Sequence, residues 1–269
     1  MYEVLETSLA TVSRSYEYQI RSVYGADFNN LKGFGCPWLL DSHHWQKGEK
    51  VLDVGGAYSE LPIYIQKAYD CEIWVADDFG LDSAATEWTR GRSPQEHIAA
   101  HPKVKYVLER VGPMDKSSLP ENYFDVVYSL SALEHAGGLQ TPAVWRHMDR
   151  LLKPGGELLH EVDVIFPSNA GVKSLLKAYV FDLLFPLFPK SFRLKHCIAT
   201  PLAYLRVALG NLGTPFKHTE NLSLINMALN PDILAESYRH GFYRLTRDNI
   251  KDFRYKRFGA LLIHLKKVS

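Results

Sequence analysis

The stretch Val51-Leu52-Asp53-Val54-Gly55-Gly56-Ala57-Tyr58-Ser59 leaves this chain few folds to choose from. An apolar run of strand length enters a turn of small residues. Leu61, Ile63, Ile65 and Ala68 then make a helical run, with Pro62 where a helix's first turn tolerates it. A strand, a glycine turn and a helix start make a corner where backbone can approach a ligand closely, and its free N–H groups favour polar or anionic groups. Many α/β proteins use such a corner only to change direction, so the rest of the chain must decide its purpose.

Cys71-Glu72-Ile73-Trp74-Val75-Ala76 reads as a second strand ending at Asp77-Asp78-Phe79. An acid at a second strand's tip, about 20 residues past a glycine turn, is placed to accept hydrogen bonds from both hydroxyls of a ribose; a solvated turn is the plainer reading. A loop and short helix over 80–101 precede a third strand, Lys105–Leu108. Asn122–Ser129 gives a fourth strand. A helix with Val144, Trp145, Met148, Leu151 and Leu152 on one side follows, and Lys153-Pro154-Gly155-Gly156 stops it. Leu158–Val164 is the fifth strand. This alternation predicts an α/β fold, a parallel sheet with helices on both faces.

Around that core, residues 2–24 carry Leu5, Leu9, Val12, Tyr16, Ile20 and Val23 at helical spacing, which predicts a packing helix or a lid. Residues 25–49 read as irregular, with His43 and His44 at a surface or site edge and no metal set around them. Leu176, Val180, Leu183, Leu184 and Leu187 form an apolar face, joined by five aromatics and broken by Pro186 and Pro189. That segment suits a lid over a hydrophobic acceptor, a homodimer surface, an interfacial membrane anchor or plain packing. Arg244-Leu245-Thr246 and Ala260–Leu265 suggest a closing antiparallel hairpin. A net charge of +1 argues against nucleic acid, three scattered cysteines suit a reducing cytoplasm, and neither a signal peptide nor a transmembrane segment is apparent.

Taken together, these residues resemble the class I S-adenosylmethionine-dependent methyltransferases, in particular those acting on small molecules. Val51–Ser59 resembles the family's glycine motif, Asp77 and Asp78 its ribose acid, and Phe124-Asp125-Val126-Val127 through Leu133-Glu134-His135 its fourth-strand motif. Leu151-Leu152-Lys153-Pro154-Gly155-Gly156-Glu157-Leu158 resembles the segment before the fifth strand. The resemblance implies a Rossmann-like core over 48–165, an N-terminal segment over 1–47, a substrate-side insertion over 166–232 and a C-terminal return over 233–269. It also implies S-adenosyl-L-methionine as cofactor and a small or lipid-like acceptor methylated on oxygen or nitrogen.

Carried over residue by residue, Gly55, Gly56 and Ala57 would line the methionine part of the cofactor, with Asp53 orienting the turn. Asp77, or Asp78 one register on, would take the ribose; Asp78 or Phe79 would border the adenine. Met114 and Asp115 would meet the adenine edge, and Ser129 and Leu130 would touch the cofactor from the fourth strand. His135 is the candidate proton acceptor, and Asp163 the candidate carboxylate for binding a polar substrate or a metal ion. Ala57 and Ser59 stand where the family has glycines, so any positive φ there would be strained. That departure keeps a second reading open, a non-catalytic relative serving as an interaction module.

Overall fold

The computed structural model describes residues 2–5, 32–79, 93–112, 117–133, 140–167, 212 and 256–268. These hold strands β1 (Tyr2–Val4), β2 (Lys50–Val54), β3 (Glu72–Ala76), β4 (Val104–Val107), β5 (Phe124–Leu130), β6 (Leu152–Pro167) and β7 (Lys256–Lys267). The helices are α1 (Lys32–Ser42), α2 (Leu61–Tyr69), α3 (Pro94–Ala100) and α4 (Gln140–Leu151). One sheet runs β1-β7-β6-β5-β2-β3-β4. β2 pairs in parallel with β3 and β5, as do β3 with β4 and β5 with β6, while β7 is antiparallel to both β6 and β1.

Burial on both faces explains the near-continuous apolar strands. Leu52, Val54, Val127, Leu158 and Val162 pack beneath Val144, Trp145, Met148 and Leu151 of α4. Val51, Ile73, Val75, Val126, Tyr128 and Leu159 pack on the opposite side with Trp38 and Leu39 of α1 and Leu61 and Ile65 of α2. The predicted stop after α4 has a mechanism: the β5–β6 register shifts between Phe124 and Val126. There, Lys153 Nζ donates to Asp125 Oδ1 at 2.6 Å and the Lys50 amide donates to Asp125 Oδ2 at 2.9 Å, pinning the start of β6 to β5 and β2.

Several expectations change. Tyr2–Val4 is a strand, not the start of a helix. Its partner β7 supplies an edge that helical periodicity cannot reveal, and the Tyr2 hydroxyl donates to Asp149 at 2.8 Å. The irregular reading of 25–49 fails over Lys32–Ser42, which is helical despite two glycines and a proline, because Cys36, Trp38, Leu39 and Leu40 bury there. Leu152 begins β6 rather than continuing α4, and Leu108 lies past the end of β4, half-exposed. The β7 half of the closing hairpin is present; Arg244–Thr246 and the insertion's apolar face lie outside the described residues. No helix among the described residues is long and apolar enough to cross a membrane.

Candidate functional site

The turn after β2 is held from below and from one side. The Gly55 amide donates to the Ala76 carbonyl at 2.9 Å, carrying the β2–β3 ladder one residue past the strand. Gly55 takes φ +82°, and a Cβ on it would sit 2.5 Å from the Ala132 Cβ, so the loop after β5 presses directly on the turn. The buried Asp53 carboxylate lies under Gly56, filling the space where a Cβ would stand. Ala57 follows with φ 37°, a conformation costing an L-residue about 1–2 kcal/mol, so the turn keeps its left-handed step without a glycine. The Ser59 amide closes it by donating to the Gly56 carbonyl at 2.7 Å.

Asp77 stands beside this turn. Its amide donates to the Val107 carbonyl, and its Oδ1 accepts from the Phe79 amide at 2.5 Å, which stabilises Phe79 at φ 52°. Asp77 Oδ2 lies 4.0 Å from the Cβ position of Gly55, so one carboxylate oxygen is aimed at the turn while the other is held. Asp78 instead pairs with Arg110. The buried Phe79 ring meets Tyr58 edge-on at 5.0 Å, and Tyr106 at 6.1 Å. His97 of α3 joins them, its Nε2 3.1 Å from the Tyr106 hydroxyl. Rings from the turn, β3's exit, β4 and α3 therefore wall one side of the site.

Beyond β5 the polar groups divide by face. Ser129 lies opposite His160, and both are fully buried. Burial pushes the His160 pKa down to about 3, so the ring is neutral. On the other face, Ser131 (φ 47°) donates its amide to the Glu161 carbonyl and its hydroxyl to Glu161 Oε2, each at 2.9 Å. Leu130 is buried among the residues packed against α1 and α2. Sequence reasoning missed Ser131, Glu161's bond to it, and His147, whose Nδ1 accepts from the Gly112 amide at 3.2 Å. The signal for His147 was present: an imidazole one residue from Met148 on the apolar face of α4. Met114, Asp115 and His135 lie outside the described residues, and Asp163 is described only as a β6 backbone position opposite Ala260.

A second polar cluster occupies the opposite end of the strands. His43 Nδ1 lies 2.8 Å from Glu157 Oε2, its Nε2 lies 3.2 Å from both Glu49 oxygens, and His264 Nε2 reaches the same Glu157 oxygen at 2.9 Å. The His43 side chain is only 9% exposed, so it is no surface residue. Facing two carboxylates with its two nitrogens, it must donate from both and is an imidazolium. Burial favours its neutral form, but Glu157 and Glu49 outweigh that and raise its pKa. Glu157 is held well below the usual carboxylate range: burial opposes this, and bonds from His264 and His43 prevail. The adjoining cleft, of about 330 Å³, opens between Gln46, Asp125, Pro154, Gly155 and Lys266, away from the glycine turn. No group of three or more metal-ligating side chains among the described residues is arranged to hold an ion.

Residues 52–160 match the sequence profile of a methyltransferase domain. Phosphoethanolamine N-methyltransferase 1 of Triticum aestivum is 29% identical over 139 residues, covering 51% of this chain and 25% of that protein. Sterol 24-C-methyltransferase of Pneumocystis carinii is 32% identical over 114 residues, covering 41% and 27%. The chain thus spans about a quarter of the length of these relatives. The solved phosphoethanolamine N-methyltransferase 2 of Haemonchus contortus, in complex with S-adenosyl-L-methionine, is similar with a TM-score of 0.53 at 16% identity, covering 95% of this chain and 56% of that one.

Proposed function

We propose, from a methyltransferase domain over residues 52–160 set on the class I methyltransferase fold, that this chain transfers a methyl group from S-adenosyl-L-methionine to a small-molecule acceptor. The observation that carries the proposal is Asp77: its Oδ2 is aimed at the Gly55 turn while its Oδ1 is fixed by the Phe79 amide. A carboxylate held this way suits a ribose diol, and the Tyr58–Phe79 wall beside it suits a nucleobase. The cofactor, when bound, supplies an electrophilic methyl group on a sulfonium. The chain's part is then positioning, which brings several kcal/mol when acceptor and donor are held in line.

Gly55, Gly56 and Ala57 line the methionine side in this reading, with Asp53 bracing the turn beneath them. Asp77 takes the ribose in preference to Asp78 because its Oδ2 is the oxygen that lies beside the Gly55 turn. Met114 and Asp115 meet the adenine edge, and the backbone of Ser129 and Leu130 borders the cofactor from β5. His135, just beyond β5, takes the proton of an oxygen or nitrogen acceptor, and Asp163 of β6 binds a polar group of it. An acceptor with a hydrophobic part fits the apolar insertion over 166–232.

Calorimetric titration with S-adenosylhomocysteine tests the proposal. Asp77→Asn keeps the oxygen that accepts from Phe79 but removes the charge at the diol, so affinity falls by about tenfold or more while the fold is retained. Wild-type protein that binds no cofactor at millimolar concentration, or a D77N variant that binds as tightly, refutes it.

A further inference from the structure

Glu161 is fully buried within β6, opposite the last residue of β5, on a strand whose other face carries a neutral histidine, and it is held twice by the same neighbour. Its carbonyl accepts from the Ser131 amide and its Oε2 accepts from the Ser131 hydroxyl, both at 2.9 Å. The next residue, Ala132, is the one that presses on Gly55. From the far side, α1 comes so close that a Cβ on Gly35 would lie 2.6 Å from Glu161 Oε2. The carboxylate thus fills the space a side chain on Gly35 would need. Three separate segments, α1, β6 and the loop after β5, meet at one carboxyl group, and the third of them shapes the cofactor turn.

We propose that Glu161 is a positioning residue: wedged against Gly35, it holds Ser131 so that Ala132 braces Gly55 in its ligand-binding conformation. This deepens the methyltransferase reading and rests on it. The residue touches no reacting atom; it acts through Ser131. The close approach at Gly35 also explains a glycine at the fourth position of α1, where it lowers helix propensity.

The test is S-adenosylhomocysteine affinity measured by calorimetry beside melting temperature, for Glu161→Ala, Glu161→Gln, Ser131→Ala, the E161A/S131A double variant and Gly35→Ala. Removing a buried acceptor from a hydroxyl and its loop weakens affinity by roughly tenfold in E161A and S131A alike. The double variant loses no more than either single change, because both break one linkage. E161Q, whose amide oxygen still accepts from Ser131, restores affinity. G35A weakens binding by displacing Glu161, although alanine favours the helix. Should E161A fail to fold, S131A and G35A carry the same test. Unchanged affinity in S131A and G35A, additive losses in the double variant, or melting temperatures that fall while affinity holds all overturn the proposal. Wild-type protein that binds no cofactor removes the methyltransferase reading and this inference together, whereas wild-type binding with unaffected variants removes this inference alone.

Discussion

Replacing His43 by glutamine removes one charge from the cluster that ties the end of α1 to β6 and β7. The wild-type ring makes a 2.8 Å bond to Glu157 and a longer, shared 3.2 Å contact to Glu49. A hydrogen bond to a charged group contributes about 1.5–3 kcal/mol. The loss stays below the 3–5 kcal/mol typical of breaking a fully buried pair, since His264 still serves Glu157 at 2.9 Å and the Gln46 amide still serves Glu49 at 2.8 Å. For a chain of this size that corresponds to a fall in Tm of roughly 3–12 °C. The pH dependence is the sharper readout. The folded pKa of His43 is raised above its ordinary 6.5, so its contribution is complete below about pH 6.5 and is lost as pH climbs through the folded value. Glu157, held below its ordinary 4.5, contributes fully above about pH 4.5 and loses that contribution as pH falls through its folded value. Denaturation of wild type and H43Q between about pH 5.5 and 9 should therefore show a stability difference that shrinks as pH rises. A difference constant across that range would refute the imidazolium assignment.

Two further predictions concern the turn and α4. Ala57→Gly relieves a left-handed alanine at φ 37°, so stability should hold or rise by up to about 1 kcal/mol with cofactor affinity retained or improved; thermal melts and titration check this, and a loss beyond about 1 kcal/mol contradicts it. His147→Leu strips the Gly112 amide of its acceptor and should cost about 1–3 kcal/mol at pH 8, measured by denaturant unfolding. Burial lowers the folded pKa of His147, so the wild-type contribution is present above about pH 6.5 and declines as pH falls through the folded value, opposite in sign to His43.

The parallel half of the sheet was legible because its signals are local. Val51, Leu52 and Val54, or Val126, Val127 and Tyr128, are apolar on both strand faces, and the turn residues between elements punctuate them. The adjacency of Asp77 to Gly55 was equally foreseeable, since a βαβ unit places neighbouring strand ends together. What escaped were groups whose meaning depends on distant partners. Glu161 and His160 are two consecutive polar residues in a run that reads as strand, and nothing in that run says one meets Ser131 and Gly35 while the other meets Trp145. His43 read as a surface or site-edge residue because the carboxylate it approaches most closely, Glu157, comes from β6, 114 positions away. Tyr2–Val4 read as helix for the same reason: a three-residue edge strand exists only where a partner offers its hydrogen bonds.

That edge has a consequence for the order in which the molecule assembles. Tyr2 aligns with Lys267 and Val4 with Leu265, so the ladder joins positions more than 260 apart, and β7 lies between β1 and β6. Strands β3 to β6 can pair as soon as they are made, because each finds a neighbour already present: β3 and β5 on β2, β4 on β3 and β6 on β5. β1, synthesised before all of them, has only β7 to pair with among the described residues and must wait until those twelve residues emerge. The first of the described strands is therefore seated only once β7 is available, since β7 lies with one edge on β6 and offers the other to β1.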